Sequence, residues 1–243
     1  MPFGTCSLNL KKTAGGSTVQ KYAPTENAPQ LGLSNAPVEW QELRESHYKN
    51  WLGESKEGRV WHEILPIVPH IDIHIFPPSA ELGRNFITLI TSGMSDERMT
   101  LPNGIDEKYG RAEIIFYIAS DETKKYQTEK PWYVKAMSFY AHFPFNYKTW
   151  LAFSHTLPNG DPPAPVVEGS KLTTALFLPA IFEPKEFVKE FKLGNETVNF
   201  LWLSFLSDKE TEFKLKYGYD KLTAKLNQDN FPRVFNPFRP PIV

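Results

Sequence analysis

The sequence predicts an α+β fold: a mixed, largely antiparallel sheet packed against helices. Three observations lead there. Five apolar stretches rich in β-branched and aromatic residues read as strands, near 71–75, 86–90, 112–118, 172–178 and 198–206. Segments near 38–52, 131–143 and 207–226 repeat their apolar residues at helical spacing. The strands do not alternate strictly with the helices, which disfavours a doubly wound parallel sheet.

Taken in order, residues 1–36 stand apart. They contain Gly15-Gly16-Ser17, Pro24 and Pro29 and no sustained period, so they read as a flexible or loosely docked leader. From Val38 the pattern changes. Trp40, Leu43, His47 and Trp51 recur at helical spacing, and Gly53 is placed to end the segment. Ile71, Ile73 and Ile75 then alternate with His70, Asp72 and His74 until Pro77-Pro78 stops the run. Phe86 to Ile90 and Ala112 to Ile118 follow as strands. The loop between them, Ser92 to Gly110, carries the turn signal Pro102-Asn103-Gly104. Pro131 opens a second helix, with Trp132, Ala136, Phe139 and Phe143 expected on its buried face.

A turn-dense connection, 157–169, leads to the strands Leu172 to Leu178 and Val198 to Leu206. Ser207 stands three residues before Glu210, a capping box that starts a helix with Phe213 and Tyr217 as its expected buried residues. Gly218 breaks that helix before a last one carrying Leu222 and Leu226, and the proline-rich end, Phe231 to Val243, is expected to run extended over the surface.

Bulk composition narrows the function classes. The 243 residues are 41% hydrophobic and 14% aromatic, enough for a sizeable core. With 27 basic against 28 acidic residues the net charge is −1, so neither nucleic acid nor a membrane surface is the expected partner. One cysteine, Cys6, permits no internal disulfide, and no signal-like or membrane-spanning apolar run is present. A cytoplasmic chain is the expectation.

Few motifs carry chemistry. In a strand, every second side chain faces the same way, so His70, Asp72 and His74 would line one face with metal-ligating groups. A metal-dependent enzyme is therefore one reading. The plainer one is a half-buried polar strand face. Gly93-x-Ser95 echoes a hydrolase nucleophile turn, but Glu97 occupies the place of its second glycine and no base is identifiable. Glycine-rich phosphate loops and zinc-protease spacing are absent, and Cys6 lacks an electropositive setting. No catalytic centre and no cofactor are expected.

The stretch Pro69-His70-Ile71-Asp72-Ile73-His74-Ile75-Phe76-Pro77-Pro78, followed by Thr88-Leu89-Ile90-Thr91-Ser92-Gly93-Met94-Ser95-Asp96 and Arg111-Ala112-Glu113-Ile114, resembles the core pattern of the Suppressor of Fused family. Leu172 to Phe177, Phe200 to Leu206 with Ser207-Asp208-Lys209-Glu210, the Gly218 break and Phe231-Pro232-Arg233 extend the resemblance over roughly residues 38–235. It implies a leader at 1–36, a Suppressor-of-Fused-like domain at 37–235 and an extended tail at 236–243. It also implies a non-enzymatic protein-binding module. Animal members sequester Gli-type transcription factors, whereas short bacterial members stand beside polymorphic toxins as immunity proteins. This chain resembles the short kind, lacking the second domain of the animal pattern. The expected partner is accordingly a protein, a toxin domain or an extended peptide. By the same resemblance Ser92, Gly93, Met94, Ser95, Asp96 and Glu113 lie near the peptide-binding side. Their alternative role is to set the fold through a tight turn and a hydrogen bond.

Overall fold

Strands that are apolar at nearly every position need cover on both faces, and that requirement organises this molecule. The structure is a computed structural model describing residues 11–21, 31–32, 34–53, 60–121, 131–189, 191–229 and 231–243. Cys6, Pro24 and Pro29 lie outside these residues.

A short hairpin, β1 (Lys11–Lys12) with β2 (Thr18–Val19), precedes helix α1 (Val38–Leu52). The main sheet has seven strands: β3 (Val60–Trp61), β4 (Asp72–Phe76), β5 (Phe86–Ser92), β6 (Ala112–Ala119), β7 (Thr156–Pro158), β8 (Leu172–Pro179) and β11 (Asn199–Ser207). Its order is β3-β4-β5-β6-β11-β8-β7. Only β6 and β11 run parallel; the other neighbours are antiparallel. A second hairpin joins β9 (Lys192–Leu193) to β10 (Glu196–Thr197). The remaining helices are α2 (Trp132–Asn146), α3 (Lys185–Lys189), α4 (Asp208–Tyr217) and α5 (Tyr219–Gln228).

Alternate residues of the central strands feed two cores. Ile73, Leu89, Ile114, Phe116, Phe177 and Phe205 meet Tyr133, Met137 and Tyr140 of α2 on one face. Ile90, Ile115, Tyr117, Leu176, Phe200 and Trp202 meet Tyr48 of α1, Phe187 of α3 and Leu222 of α5 on the other. Mixed, mostly antiparallel pairing with helical cover is thus the predicted class. Among the described residues no helix is long and apolar enough to cross a membrane.

The element starts and stops follow local chemistry. Gly53, at φ 92°, ends α1, and Ser207 with Glu210 forms a complete capping box on α4. Gly218, also at φ 92°, separates α4 from α5.

The buried helix faces differ from expectation. In α1 the buried side chains are Arg44, Tyr48 and Leu52, while Leu43 is exposed and Trp40, His47 and Trp51 are only partly covered. Arg44 can be buried because its charge is matched inside the fold, which no period reveals. In α2, apolar nearly all round, the sheet selects Tyr133, Met137 and Tyr140 and leaves Phe139 exposed. In α4 the buried pair is Glu210 and Lys214, with Tyr217 exposed.

The C-terminal segment forms no helix or strand and runs over the surface as expected, but it is anchored there by Arg239, its one buried residue. Arg239 donates to both Glu210 carboxylate oxygens, at 2.7 and 2.8 Å, and to the Phe205 carbonyl, and it stacks on Phe231. Ile242 N–H also donates to Glu210. The carboxylate that caps α4 therefore holds the last residues of the chain.

Candidate functional site

The six residues singled out by resemblance come together where β5 ends. Gly93 has φ 113°, and a Cβ there would run into the His70 carbonyl oxygen, so only glycine fits. The turn sets Met94–Asp96 into one 3-10 turn beneath β6. Glu113, on β6, is fully buried and accepts from Thr91 Oγ1 at 2.6 Å, Gly93 N at 3.1 Å, Ser95 N at 3.0 Å and Ser95 Oγ at 2.5 Å. Burial pushes its carboxyl above the usual range, against the pull of Arg44 and these donors. Arg44 reaches in from α1, pairs bidentately with Asp96, donates to Ser92 Oγ at 3.1 Å and lies 3.9 Å from Glu113. Tyr48, one turn on, donates to the Thr91 carbonyl at 2.8 Å.

Arg111 closes the other side through the carbonyls of Ser95 and Asp96, at 2.7 and 2.9 Å, while stacking on Trp40. The loop is thus a buried polar network that ties α1 to the sheet. Met94, Ser95 and Glu113 are 0% exposed and present no surface to a partner in this structure. Asp96 is the partly exposed member. Ser95 donates its hydroxyl to the Glu113 carboxylate, and both side chains are closed to solvent.

The side chains of His70, Asp72 and His74 do not share one set of neighbours. Among the described residues no group of three or more histidines, cysteines, aspartates or glutamates is arranged to hold a metal ion. His74 packs edge-on to Tyr48 and stacks with Phe76, and burial lowers its basicity. Asp72 instead serves His62, at 2.8 Å, and the Glu63 N–H, at 3.0 Å. Burial does alternate along this stretch, but His70 precedes β4 and meets Asp72 and Glu63, while His74 lies among aromatic rings.

Beside that loop lies a feature the sequence did not disclose. The segment after β3 runs along α2 and leaves a groove of about 220 Å³ lined by Glu63, Ile67, Ser138, Phe139, His142 and Asn146. His142 Nε2 lies 3.2 Å from Glu63 Oε1 without completing a hydrogen bond, a contact that is an ion pair when the ring is protonated. Glu63 Oε2 accepts the Ile71 N–H at 3.0 Å and lies 4.0 Å from His70 Nδ1. Large exposed apolar side chains occur on both segments that line the groove: Phe139, in its lining, is 49% exposed, and Ile64 and Leu65, between the lining residues Glu63 and Ile67 in sequence, are 94% and 59% exposed. Their run in the sequence, Ile64-Leu65-Pro66-Ile67, was the available signal, since it fits neither strand alternation nor a helix. The groove adjoins the signature loop through His70, whose carbonyl abuts Gly93 and whose ring faces Glu63.

Comparison with known proteins follows the same outline. The family model for the suppressor of fused protein (SUFU) matches residues 68–240. Among solved structures, a protein from Neisseria gonorrhoeae described as a SUFU homologue superposes with a TM-score of 0.62 at 15% identity, covering 85% of this chain and 98% of that one. A chain of the Sufu-Fu complex gives 0.59 at 15% identity over 84% of this chain and 92% of its own length. Drosophila Suppressor of Fused gives 0.50 at 18% identity over 83% of this chain and 50% of its own. Comparison with curated protein sequences finds no match. At these identities the superpositions speak for the fold, while the family model spans β4 through the Arg239 anchor; the chain belongs to the suppressor of fused protein (SUFU) family.

Proposed function

We propose that this chain is a non-enzymatic protein-binding module whose contact surface is the apolar rim of the groove between residues 62–69 and α2. The observation that carries this reading is the exposure of Phe139 in the groove lining and of Ile64 and Leu65 on the segment whose Glu63 and Ile67 form the opposite lining. Contiguous exposed apolar side chains mark interaction sites, since water disfavours them unless a partner covers them. β3 is an edge strand of the sheet immediately beside this rim, so an extended segment of a partner has unpaired backbone groups to meet. In this reading Ser92, Gly93, Met94, Ser95 and Glu113 form the rigid frame, and Asp96 marks the side of the frame nearest solvent. The Sufu-Fu complex, one of the similar structures, is itself an assembly of two proteins.

A narrower form of the reading makes the partner a toxin domain and this chain its immunity protein, in a cytoplasmic setting that fits the lone cysteine. What supports it is extent: the bacterial homologue is matched over 98% of its length, the Drosophila protein over 50%.

The test is retention of a partner by tagged chain in its native host, followed by cross-linking. Cross-links to residues 62–69 and α2, with retention abolished by Ile64→Asp combined with Leu65→Asp, are expected. A partner retained undiminished by that double variant overturns the assigned surface. Toxicity of the captured protein alone, cured by co-expression of this chain, is the outcome required for the immunity role.

A further inference from the structure

The segment after β3 is fastened to the body by alternating imidazoles and carboxylates. His62 Nδ1 lies 2.8 Å from Asp72 Oδ2, and Asp72 Oδ1 lies 3.3 Å from His70 Nε2. His70 Nδ1 is 4.0 Å from Glu63 Oε2, and Glu63 Oε1 is 3.2 Å from His142 Nε2 across the groove on α2. The His62 side chain at one end is 71% exposed and His142 at the other 11%, with His70 between them at 44%. Two backbone groups are tied into it, the Glu63 N–H on Asp72 and the Ile71 N–H on Glu63.

The tautomer of His142 decides what the last link is. Its Nδ1 lies 2.8 Å from the Ser138 carbonyl, an acceptor only, so Nδ1 carries a proton. A neutral ring with that proton on Nδ1 would turn the Nε2 lone pair toward the Glu63 carboxylate. Only the imidazolium carries hydrogen on both nitrogens and so attracts Ser138 and Glu63 together.

We propose that these groups form a proton-operated latch: His142, when protonated, holds the 62–69 segment against α2 through Glu63, and loss of that proton releases it. Burial works against the His142 charge, but Glu63 and the carbonyls of Ser138 and Pro69 outweigh it, raising His142 above the ordinary histidine value. Burial likewise opposes the Glu63 charge, and His142 and the Ile71 N–H overcome it, lowering Glu63. The signs fix a window. A raised imidazole stabilises the closed form below its unfolded value and ceases to do so as pH rises through the folded one. A lowered carboxyl stabilises it above its unfolded value and ceases to do so as pH falls through the folded one. The latch is closed between the two.

The charged group facing His142 is Glu63, with His70, Asp72 and His62 behind it; α2 itself brings uncharged Ser138, Phe139 and Asn146 to the groove. Because Ile64 and Leu65 ride on the latched segment and Phe139 on α2, opening separates the two apolar walls of the groove. That consequence rests on the binding surface proposed above, whereas the latch itself is testable on the chain alone.

Hydrogen exchange, corrected for the intrinsic pH dependence of exchange, reads it directly. The Glu63 and Ile71 amides are expected to lose protection by about tenfold between pH 6 and pH 8.5, with Ile114 and Phe116 in β6 as unchanged references. His142→Gln is expected to flatten this dependence, and Glu63→Gln to lower protection throughout. Unchanged protection in the wild-type chain, or a dependence that survives in a folded His142→Gln chain, overturns the latch. Nitrogen-15 NMR of the wild-type imidazoles needs no variant: a His142 ring that is neutral at pH 6 overturns it equally.

Discussion

The signature loop and the segment after β3 lie side by side at the start of β4, yet they are fastened in opposite ways. In the loop every charge is deep and matched: Glu113 serves four donors, and Arg44 joins Asp96, Ser92 and Glu113. Around the groove the ionic links are partly wet, they include three histidines, and exposed apolar side chains surround them. Both regions are polar clusters on adjacent strands. What separates them is access to water. A dry matched network fixes geometry and cannot respond, whereas a half-wet histidine chain beside exposed isoleucine and leucine can both respond and bind. The residues that carry the family resemblance are mostly buried in this chain, and the surface proposed for the partner lies one strand away.

The sharpest way to break this comparison is to remove the buried acceptor. Glu113→Ala would strand four donors and leave Arg44 with Asp96 and the Ser92 hydroxyl, and is expected to cost about 3–5 kcal/mol by urea unfolding. A loss of less than about 1 kcal/mol would show that the network is not the frame described here. Lys214 sharpens the contrast from the other side. It is buried with the Thr156 hydroxyl at 3.2 Å, and burial lowers it to about 8. Its folded value lies below its unfolded value, so the buried charge opposes folding at neutral pH and ceases to do so as pH rises between the two. Lys214→Met is therefore expected to stabilise the chain by roughly 2–3 kcal/mol at pH 7, with the gain fading as pH rises from about 8 to about 10.5. Unfolding curves over this pH range check this.

Gly93→Ala forces a side chain into a positive-φ turn against the His70 carbonyl and should cost about 2 kcal/mol or more. At the small end, Ile64→Asp is expected to leave stability within about 0.5 kcal/mol of wild type while removing partner retention. A large loss of stability there would mean that Ile64 supports the fold and is not free for a partner.

Much of the framework was legible because it is written locally. Ile71, Ile73 and Ile75 alternate, Ser207 and Glu210 stand at capping-box spacing, and Gly53 and Gly218 stop helices where the apolar period breaks. The candidate site was legible in part. Resemblance pointed to the residues from Ser92 to Asp96 and to Glu113, and the structure does assemble them, but as a buried network. The groove escaped notice because its two walls come from segments far apart in the chain, and nothing near His142 in the sequence hints at Glu63.

Sequence by itself determined the type and order of the long elements and most of their ends, though not β3, β7, α3 or the two short hairpins, since backbone preference and side-chain periodicity act over a few residues. Tertiary structure alone decided which helix faces are covered, because burial of Arg44 or Glu210 depends on Asp96 or Arg239 arriving from elsewhere. It also decided that His74 faces aromatic rings while His70 and Asp72 join Glu63 and His62. Electrostatic matching is a long-range property of the folded chain, and in this protein it separates the residues that hold the frame from those left to meet a partner.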